Sequence, residues 1–381
     1  MGLTDRAGTR SDPMDTMLFT GFPGFLGRRV LPEVLRRHPG SRAACLVQSP
    51  YIRQARAAVA ALERSDPDLA SRIGLVEGDI TAPGLGMGRG APTVQEVGLI
   101  FHLAAVYDLS VAPSLANAVN VGGTRNVLEF AETCPSLRRF HYVSTCDVSG
   151  RYAGTFREDQ LEEGQSFNNA YEATKHRAEV EVHRTAAAGL PVTIYRPSIV
   201  VGDSDDGRTD KFDGPYFFIR WVLKQGSLAV VPVVGDPRVH RLNAVPRDFV
   251  ARAIAHLSAT TNEPAARPGQ ALTFQLADPD PPTIQRLVTA IGAAAGKEIL
   301  RVPLPRALAS TALGRIPGLA RWTGIPAASV DYFVHPTDYD TRRATAHLAG
   351  SGIAPPPLLE YLDVLVDFAR RHPELSSAPM V

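Results

Sequence analysis

The chain has 381 residues, enough for one large domain and a smaller partner, and a 44% apolar content that can build a large core. Forty basic residues against thirty-nine acidic ones leave a net charge of +1. That excludes a global field drawing the protein to nucleic acid or to an anionic membrane, and a small-molecule partner is expected. Residues 1–16 lack an apolar run and predict a disordered tail rather than a signal peptide. From Met17 the chain alternates between short apolar runs and helical patterns. The runs Met17–Thr20, Ala43–Val47, Ile73–Val76, Leu99–Leu103, Phe140–Val143 and Val192–Tyr195 predict strands. Between them, helices are expected after the turn that follows Thr20, over Ile52–Glu63, over Leu115–Glu132 and over Tyr171–Ala188. Continuous apolar runs separated by helices are the signature of a parallel sheet covered on both faces. The fold class expected is α/β, a doubly wound parallel Rossmann sheet.

After Gly202 the pattern changes. Gly and Asp cluster between Asp203 and Gly214, a helix is expected over Tyr216–Lys224, and Asn243–Leu257 and Leu272–Leu276 look like a helix and a strand returning to the first domain. The division expected is a nucleotide-binding domain over 17–205, with returning segments at about 240–258 and 270–277, and a smaller, mostly helical substrate domain from 206–239 and 278–381. The apolar stretch from Val302 to Ala328 is interrupted by Pro303, Pro305, Pro317 and Pro326, so it cannot cross a bilayer as one helix. No transmembrane span is expected. Cys45, Cys134 and Cys146 are scattered, have no metal-ligand spacing and cannot complete a disulfide framework, so no metal is expected and a reducing cytoplasm is.

Thr20-Gly21-Phe22-Pro23-Gly24-Phe25-Leu26-Gly27 sets three glycines at a G-x-x-G-x-x-G spacing between a strand and a helix. The first allows a tight turn, the second lets backbone approach a pyrophosphate, and the third lets helix and strand pack closely. The helix N-terminus then offers free N–H groups and the positive end of its dipole to the phosphates. A dinucleotide cofactor follows. A site preferring NADH places an acid at the end of the second strand, and here that strand ends Val47-Gln48-Ser49. Arg28 and Arg53 are candidates for a 2′-phosphate, so NADPH is expected over NADH. Asp79 and Ile80, at the end of the third strand, fit an adenine contact, with a helix cap as the other reading of Asp79.

Tyr171 and Lys175 stand at i and i+4 and share one helix face. A tyrosine must move about 3 pKa units, about 4 kcal/mol, to exchange protons near neutrality. One ammonium at about 4 Å supplies roughly that much at an effective dielectric near 20. The chain has four lysines, at 175, 211, 224 and 297, among its forty basic residues, which makes an amine at 175 conspicuous. Tyr142-Val143-Ser144-Thr145 closes a strand and offers a hydroxyl to a substrate carbonyl or developing oxyanion, with Thr145 the first candidate and Ser144 the alternative. Cys146 reads as a small core residue and Asp147 as a turn residue.

The glycine triplet, Asp79, His102-Leu103-Ala104-Ala105, Asn120-Val121-Gly122-Gly123-Thr124, Ser144-Thr145, Tyr171/Lys175 and Tyr195-Arg196-Pro197-Ser198 together resemble the extended short-chain dehydrogenases over nearly the whole chain. Tyr142-Val143-Ser144-Thr145, Arg196-Pro197 and Val201-Gly202-Asp203-Ser204 most resemble the fatty acyl-CoA reductases and thioester reductase domains within them. The resemblance implies Thr145, Tyr171 and Lys175 as the catalytic set and Asn120 as the residue that helps place the lysine. It also implies that Ala104-Ala105 and Pro197-Ser198 flank the nicotinamide. The activity implied is NADPH-driven reduction of a long-chain acyl thioester, borne by CoA or a carrier, to an aldehyde or alcohol. With no adenylation or carrier segment recognised, a free substrate or one brought by a separate carrier is expected. The competing readings are a dehydrogenase or ketoreductase of a lipid or sterol-like alcohol, a nucleotide-sugar epimerase or dehydratase, and a cofactor-sensing binding protein without turnover. Leu304, Leu308, Leu313, Ile316, Leu319, Trp322, Ile325 and Phe333 are expected either to form a small core or to line an acyl chain.

Overall fold

The computed structural model describes residues 15–88, 90–107, 111–261, 269–304 and 334–375. Among the described residues thirteen strands run in chain order as β1 (Asp15–Thr20), β2 (Ser41–Val47), β3 (Ile73–Glu77), β4 (Val97–His102), β5 (Arg139–Val143), β6 (Gly154–Phe156), β7 (Val192–Pro197), β8 (Ile199–Val201), β9 (Leu228–Val233), β10 (Ala244–Pro246), β11 (Leu272–Leu276), β12 (Glu298–Pro303) and β13 (Thr337–Tyr339). Seven of them form one sheet in the order β11-β7-β5-β4-β1-β2-β3, every neighbour parallel. From β1 the chain winds outward to β2 and β3, then returns to β4 on the other side and winds outward again. The reversal puts the switch point, where such sheets bind ligands, at the carboxyl ends of β1 and β4. Met17, Leu18 and Phe19 in β1 and Ile100 and Phe101 in β4 are wholly buried, as a sheet covered on both faces requires.

The helices Gly27–Arg37 and Arg247–Thr260 pack on each other over one face of the sheet, burying Val30, Val34, Phe249 and Ile254. Thr124–Glu132 and Ala170–Ala187 cover the other, through Val127, Leu128, Ala178 and Val182. A separate apolar cluster joins the helices Tyr216–Leu223, Ile284–Ala295 and Leu362–Arg371 around β9, which pairs in parallel with β12. This lobe therefore carries a small sheet as well as its helices. β11 joins the main sheet beside β7.

β1 starts at Asp15, so Asp15 and Thr16 belong to the sheet and not to a tail, while residues 1–14 lie outside the described residues. The single helix expected over Leu115–Glu132 is divided by a π-helical stretch, Asn117–Gly123. Gly123 faces Ile80 so closely that a Cβ there would come within 2.6 Å of its side chain. The apolar residues from Leu308 to Phe333 that were expected to line or pack a pocket lie outside the described residues; Leu304 packs with Val234 and Val334.

Candidate active site

The glycine-rich turn sits at the switch point. Gly21 has φ +90°, and a Cβ there would lie 2.8 Å from the Leu103 carbonyl carbon, so β1 and β4 converge on a position only glycine fills. A Cβ on Gly27 would lie 2.4 Å from the Gly21 oxygen. The Thr20 hydroxyl ties the two strand ends together by accepting from the Leu103 and Ala104 N–H groups at 3.2 and 3.1 Å and bonding His102 Nδ1 at 2.8 Å. His102 bonds Thr124 through its other nitrogen at 3.0 Å. Burial, then the nearby Lys175, lower its pKa to about 3, so the ring is neutral and serves as a strut.

A single cavity of about 870 Å³ runs from this turn to the end of β5. Its walls include Thr20 through Gly27, Arg28, Ile80, Ala104, Ala105, Ser144, Thr145, Tyr171, Lys175, Pro197 and Ser198. The structure thus brings together most of the residues proposed from sequence. Asp79 is adjacent, not lining: its carboxylate accepts from the Thr81 N–H and hydroxyl, both at 2.8 Å, and from Gln48. This is a local turn contact two residues long and not a helix cap, since the helical turn Pro83–Gly86 is entered at Ala82 with no side-chain cap; burial raises the Asp79 pKa, but these hydrogen bonds outweigh it and hold the value below the usual range. Arg28 is ion-paired with Asp210 across the cavity mouth. Arg53 is exposed on the helix Ile52–Ser65 and is not among the lining residues. The 2′-phosphate contact expected of this pair is therefore not assembled in the structure.

Thr145 stands two residues beyond the end of β5, at the start of the short helical turn Cys146–Ser149, and Tyr171 and Lys175 stand in the first turns of the helix Ala170–Ala187, capped by Asn169, whose side chain accepts from the Glu172 N–H at 3.0 Å. Thr145 and Tyr171 both face the cavity, and the Thr145 hydroxyl contacts Asp147, accepting from its N–H at 3.2 Å. Lys175 Nζ donates to the Tyr142 hydroxyl and to the Val143 carbonyl, both at 2.9 Å. Burial lowers Lys175 to about 7, against the pull of Glu179. Burial first, and then the charge of Asp147, push Tyr171 far above its ordinary value, with the nearby Thr145 hydroxyl pulling the other way. This corrects the arithmetic made from sequence, in which an ammonium alone carried the phenol toward neutrality: the lysine is desolvated too, and two of its three donors go to β5. Asn120 does not reach Lys175 directly. Its amide accepts from the Val106 N–H at 2.9 Å and donates to the Thr174 hydroxyl at 3.1 Å, holding the helix one residue before the lysine.

Several site residues had no clear signal in the sequence. Tyr107 stacks edge-on against Tyr171 at 4.9 Å between ring centroids, and Lys211 Nζ lies 5.0 Å from the Tyr107 ring and 3.0 Å from Asp213. All four line the cavity. Arg196, from a motif read only as family resemblance, is wholly buried and paired with Glu179 at 2.5 Å, locking β7 to the helix that carries Lys175. Cys146 is buried, and its thiol is pushed well above the ordinary range by burial, consistent with a core residue.

The site fits a nicotinamide dinucleotide. The glycine cradle excludes side chains where a pyrophosphate would lie, and the buried hydroxyls of Ser144 and Ser198 line the cavity with no hydrogen-bond partner among the described residues. Residues 19–254 match the family model described as Male sterility protein. The chain belongs to that family. It is an extended short-chain dehydrogenase/reductase, an NAD(P)H-dependent oxidoreductase. Its fold is similar to the terminal R domain of the myxalamid PKS-NRPS biosynthetic pathway, with a TM-score of 0.76 and 27% identity over 96% of this chain and 93% of that one. In sequence it is 26% identical to the non-canonical nonribosomal peptide synthetase FrzA of a Cladobotryum species over 65% of this chain and 25% of that protein. It is 26% identical to the fatty acyl-CoA reductase wat of Drosophila melanogaster over 62% of this chain and 53% of that protein. The match thus spans a minor part of the synthetase and about half of the reductase. No helix among the described residues is long and apolar enough to cross a membrane.

Proposed function

We propose that this protein uses NADPH to reduce a lipid-like acyl thioester, carried on CoA or on a carrier protein, to an aldehyde or alcohol. The observation that carries the reading is the continuity of the cavity: beyond Tyr171 it extends along Leu115, Ile199, Val200, Phe217 and Leu242, an apolar wall next to the proton-transfer groups. The relatives named as peptide synthetase and fatty acyl-CoA reductase add support.

In this reading the reduced nicotinamide supplies a hydride to the substrate carbonyl carbon. Thr145 and Tyr171 hold the substrate oxygen by hydrogen bonds as charge develops on it, and the Tyr171 phenol gives that oxygen its proton; the hemithioacetal so formed then breaks its C–S bond, the hydroxyl proton passing to the sulfur, to leave the aldehyde and the free thiol of CoA or the carrier, and a second hydride and proton would carry the aldehyde to the alcohol. Lys175, fixed by Tyr142 and Val143, orients the end of β5 beside the phenol. For NADPH the supporting feature is the absence of an acid after Val47, where Gln48 lines the cavity. The test is cofactor oxidation followed at 340 nm against acyl-CoAs, lipid ketones and nucleotide sugars. Turnover of acyl-CoAs above the others is expected, and activity confined to nucleotide sugars would overturn the proposal.

A further inference from the structure

Lys211 and Asp213 stand on the loop that joins β8 to the helix Tyr216–Leu223. The residue between them, Phe212, is wholly buried in the second lobe, against Tyr216 at 4.9 Å between ring centroids and edge-on to Phe368 at 6.5 Å. With Phe212 turned into that core, its two neighbours turn out of it, and both line the large cavity, where Phe212 does not. The backbone is pinned as well. The Lys211 N–H donates to Thr209 Oγ1 at 3.4 Å, the Thr209 hydroxyl donates to the Lys211 carbonyl at 2.9 Å, and the Asp213 carbonyl accepts from the Tyr216 N–H at 3.2 Å. Asp210, one residue before Lys211, is the partner of Arg28 across the cavity mouth. The loop thus holds an ammonium and a carboxylate at a fixed place beside the mouth.

Lys211 Nζ and Asp213 Oδ2 are 3.0 Å apart, on side chains only 10% and 16% exposed. Lys211 Nζ also lies 5.0 Å from the centre of the Tyr107 ring, which meets the Tyr171 ring edge-on at 4.9 Å. One aromatic ring therefore separates the ion pair from the proton-transfer phenol. Charges withdrawn from water are costly, and a single contact between them offsets that cost only in part, so a ligand that gives the ammonium a further acceptor gains binding. An ammonium has three donors, and Asp213 takes one of them. The carboxylate also fixes the kind of acceptor. Beside it the site carries no net charge, and a phosphate or carboxylate brought to Lys211 would be repelled by Asp213, whereas a neutral carbonyl would not.

We propose that Lys211 is a specificity-determining residue that donates to the carbonyl of a secondary amide on the thiol-side arm of the substrate, and that Asp213 sets it for this neutral group by balancing its charge. The inference rests on the reading of the cavity as an acyl-thioester site. In that reading the acyl chain takes the apolar wall of Ile199, Val200, Phe217 and Leu242, and the bulk of CoA or of a carrier stays outside. The arm between them has to leave through the mouth, past the loop that carries Lys211. Such arms hold their first amide two carbons beyond the sulfur, close to the reacting carbonyl, as Lys211 is close to Tyr171. The aldehyde product has lost the arm and with it this contact, so the residue favours the thioester over the aldehyde as the substrate bound.

The experiment measures kcat/KM with NADPH, on the full chain, for hexanoyl thioesters of three thiols: N-acetylcysteamine, which keeps the amide, 3-mercaptopropionate, which puts a carboxylate there, and butanethiol, which has neither. Wild type should prefer the amide over the alkyl arm by about tenfold or more, the usual worth of a hydrogen bond to a charged group. Lys211→Met should bring that ratio close to one, and Asp213→Asn should raise the carboxylate arm relative to the amide by about tenfold. Ratios cancel any loss common to all three substrates, so a purely structural role for either residue would leave them unmoved and overturn the proposal, as would a wild-type ratio near one. Should Lys211→Met not be recovered folded, the Asp213→Asn ratio decides. An amide on the acyl side is the other source of the same group. The butyl thioester of N-butanoylglycine separates the two: a Lys211-dependent gain for it, with none for the N-acetylcysteamine thioester, would overturn the arm as the source. A binding readout needs no turnover. S-Hexyl-N-acetylcysteamine, an unreactive thioether, should bind the NADPH-loaded protein about tenfold more tightly than butyl hexyl sulfide by calorimetry, and the gap should close in Lys211→Met. If no thioester is reduced, the reaction reading fails while this gap still supports the amide site; equal affinities in wild type would overturn it.

Discussion

Lys175 Nζ and the Tyr142 hydroxyl are hydrogen-bonded at 2.9 Å inside the protein, across 33 residues of sequence, and the same ammonium lies 4.4 Å from the centre of the Tyr142 ring. Tyr142 is wholly buried and its phenol is pushed well above the ordinary range, chiefly by desolvation, so it meets the lysine as a neutral hydroxyl. The lysine is thereby anchored to β5, two residues beyond whose end Thr145 stands, and the relative placement of the helix and strand groups follows from that contact.

The first prediction concerns stability. An amine whose folded pKa is depressed, here from 10.5 to about 7, binds fewer protons in the folded than in the unfolded state over that interval. Folding stability from this group is fully present above the unfolded value and is lost as pH falls toward the folded one. Lys175→Met removes the linkage. Wild type should gain stability relative to the variant between pH 7 and pH 9, read by urea unfolding at several pH values. A difference independent of pH would mean the lysine is not desolvated.

Tyr171→Phe should lower kcat by at least about a hundredfold, since general acid catalysis typically contributes 10²–10⁴, with cofactor affinity nearly unchanged. Steady-state kinetics and fluorescence titration of NADPH separate the two effects. Turnover within a few-fold of wild type would remove Tyr171 from the mechanism.

The parts of the site legible in the sequence are those governed by local geometry. The spacing of Gly21, Gly24 and Gly27 and the i, i+4 pair Tyr171/Lys175 need only a turn and a helix to acquire meaning, and the apolar runs gave the sheet to within a residue or two. What stayed hidden depends on contacts between distant segments. Arg28 looked free for a phosphate because its partner, Asp210, is 182 residues away. Asp147 does lie in a short helical turn, as its sequence setting suggests, but nothing local announces that it will be buried near Glu172 and Tyr171. The pKa arithmetic for Tyr171 failed for a related reason, since the burial of both partners is a property of packing and not of spacing.

Cofactor preference is testable at Gln48. Placing an acid at the end of β2 would favour the ribose hydroxyls of NADH and repel a 2′-phosphate. Gln48→Asp should shift the ratio of kcat/KM for NADPH over NADH by about tenfold toward NADH, equivalent to about 1.4 kcal/mol. Arg28→Ala should change the preference little, because Arg28 is already paired with Asp210. A large loss of NADPH preference in Arg28→Ala would show that the arginine leaves Asp210 for the phosphate.

Chain-length dependence tests the apolar end of the cavity. Ile199, Val200, Phe217 and Leu242 line it, and Phe217 belongs to the apolar cluster of the second lobe, so the wall is braced from behind. Each methylene transferred from water to such a wall is worth roughly 0.8 kcal/mol, which is about three- to fourfold in kcat/KM per added carbon until the space is filled. The profile from butyryl-CoA to palmitoyl-CoA should therefore rise and then level. Phe217→Ala enlarges the space without touching Thr145, Tyr171 or Lys175, so it should move the plateau toward longer chains while costing stability through the cavity it leaves. A flat profile in wild type would mean that the acyl chain does not lie on this wall, and a plateau unmoved by Phe217→Ala would place the chain's end elsewhere.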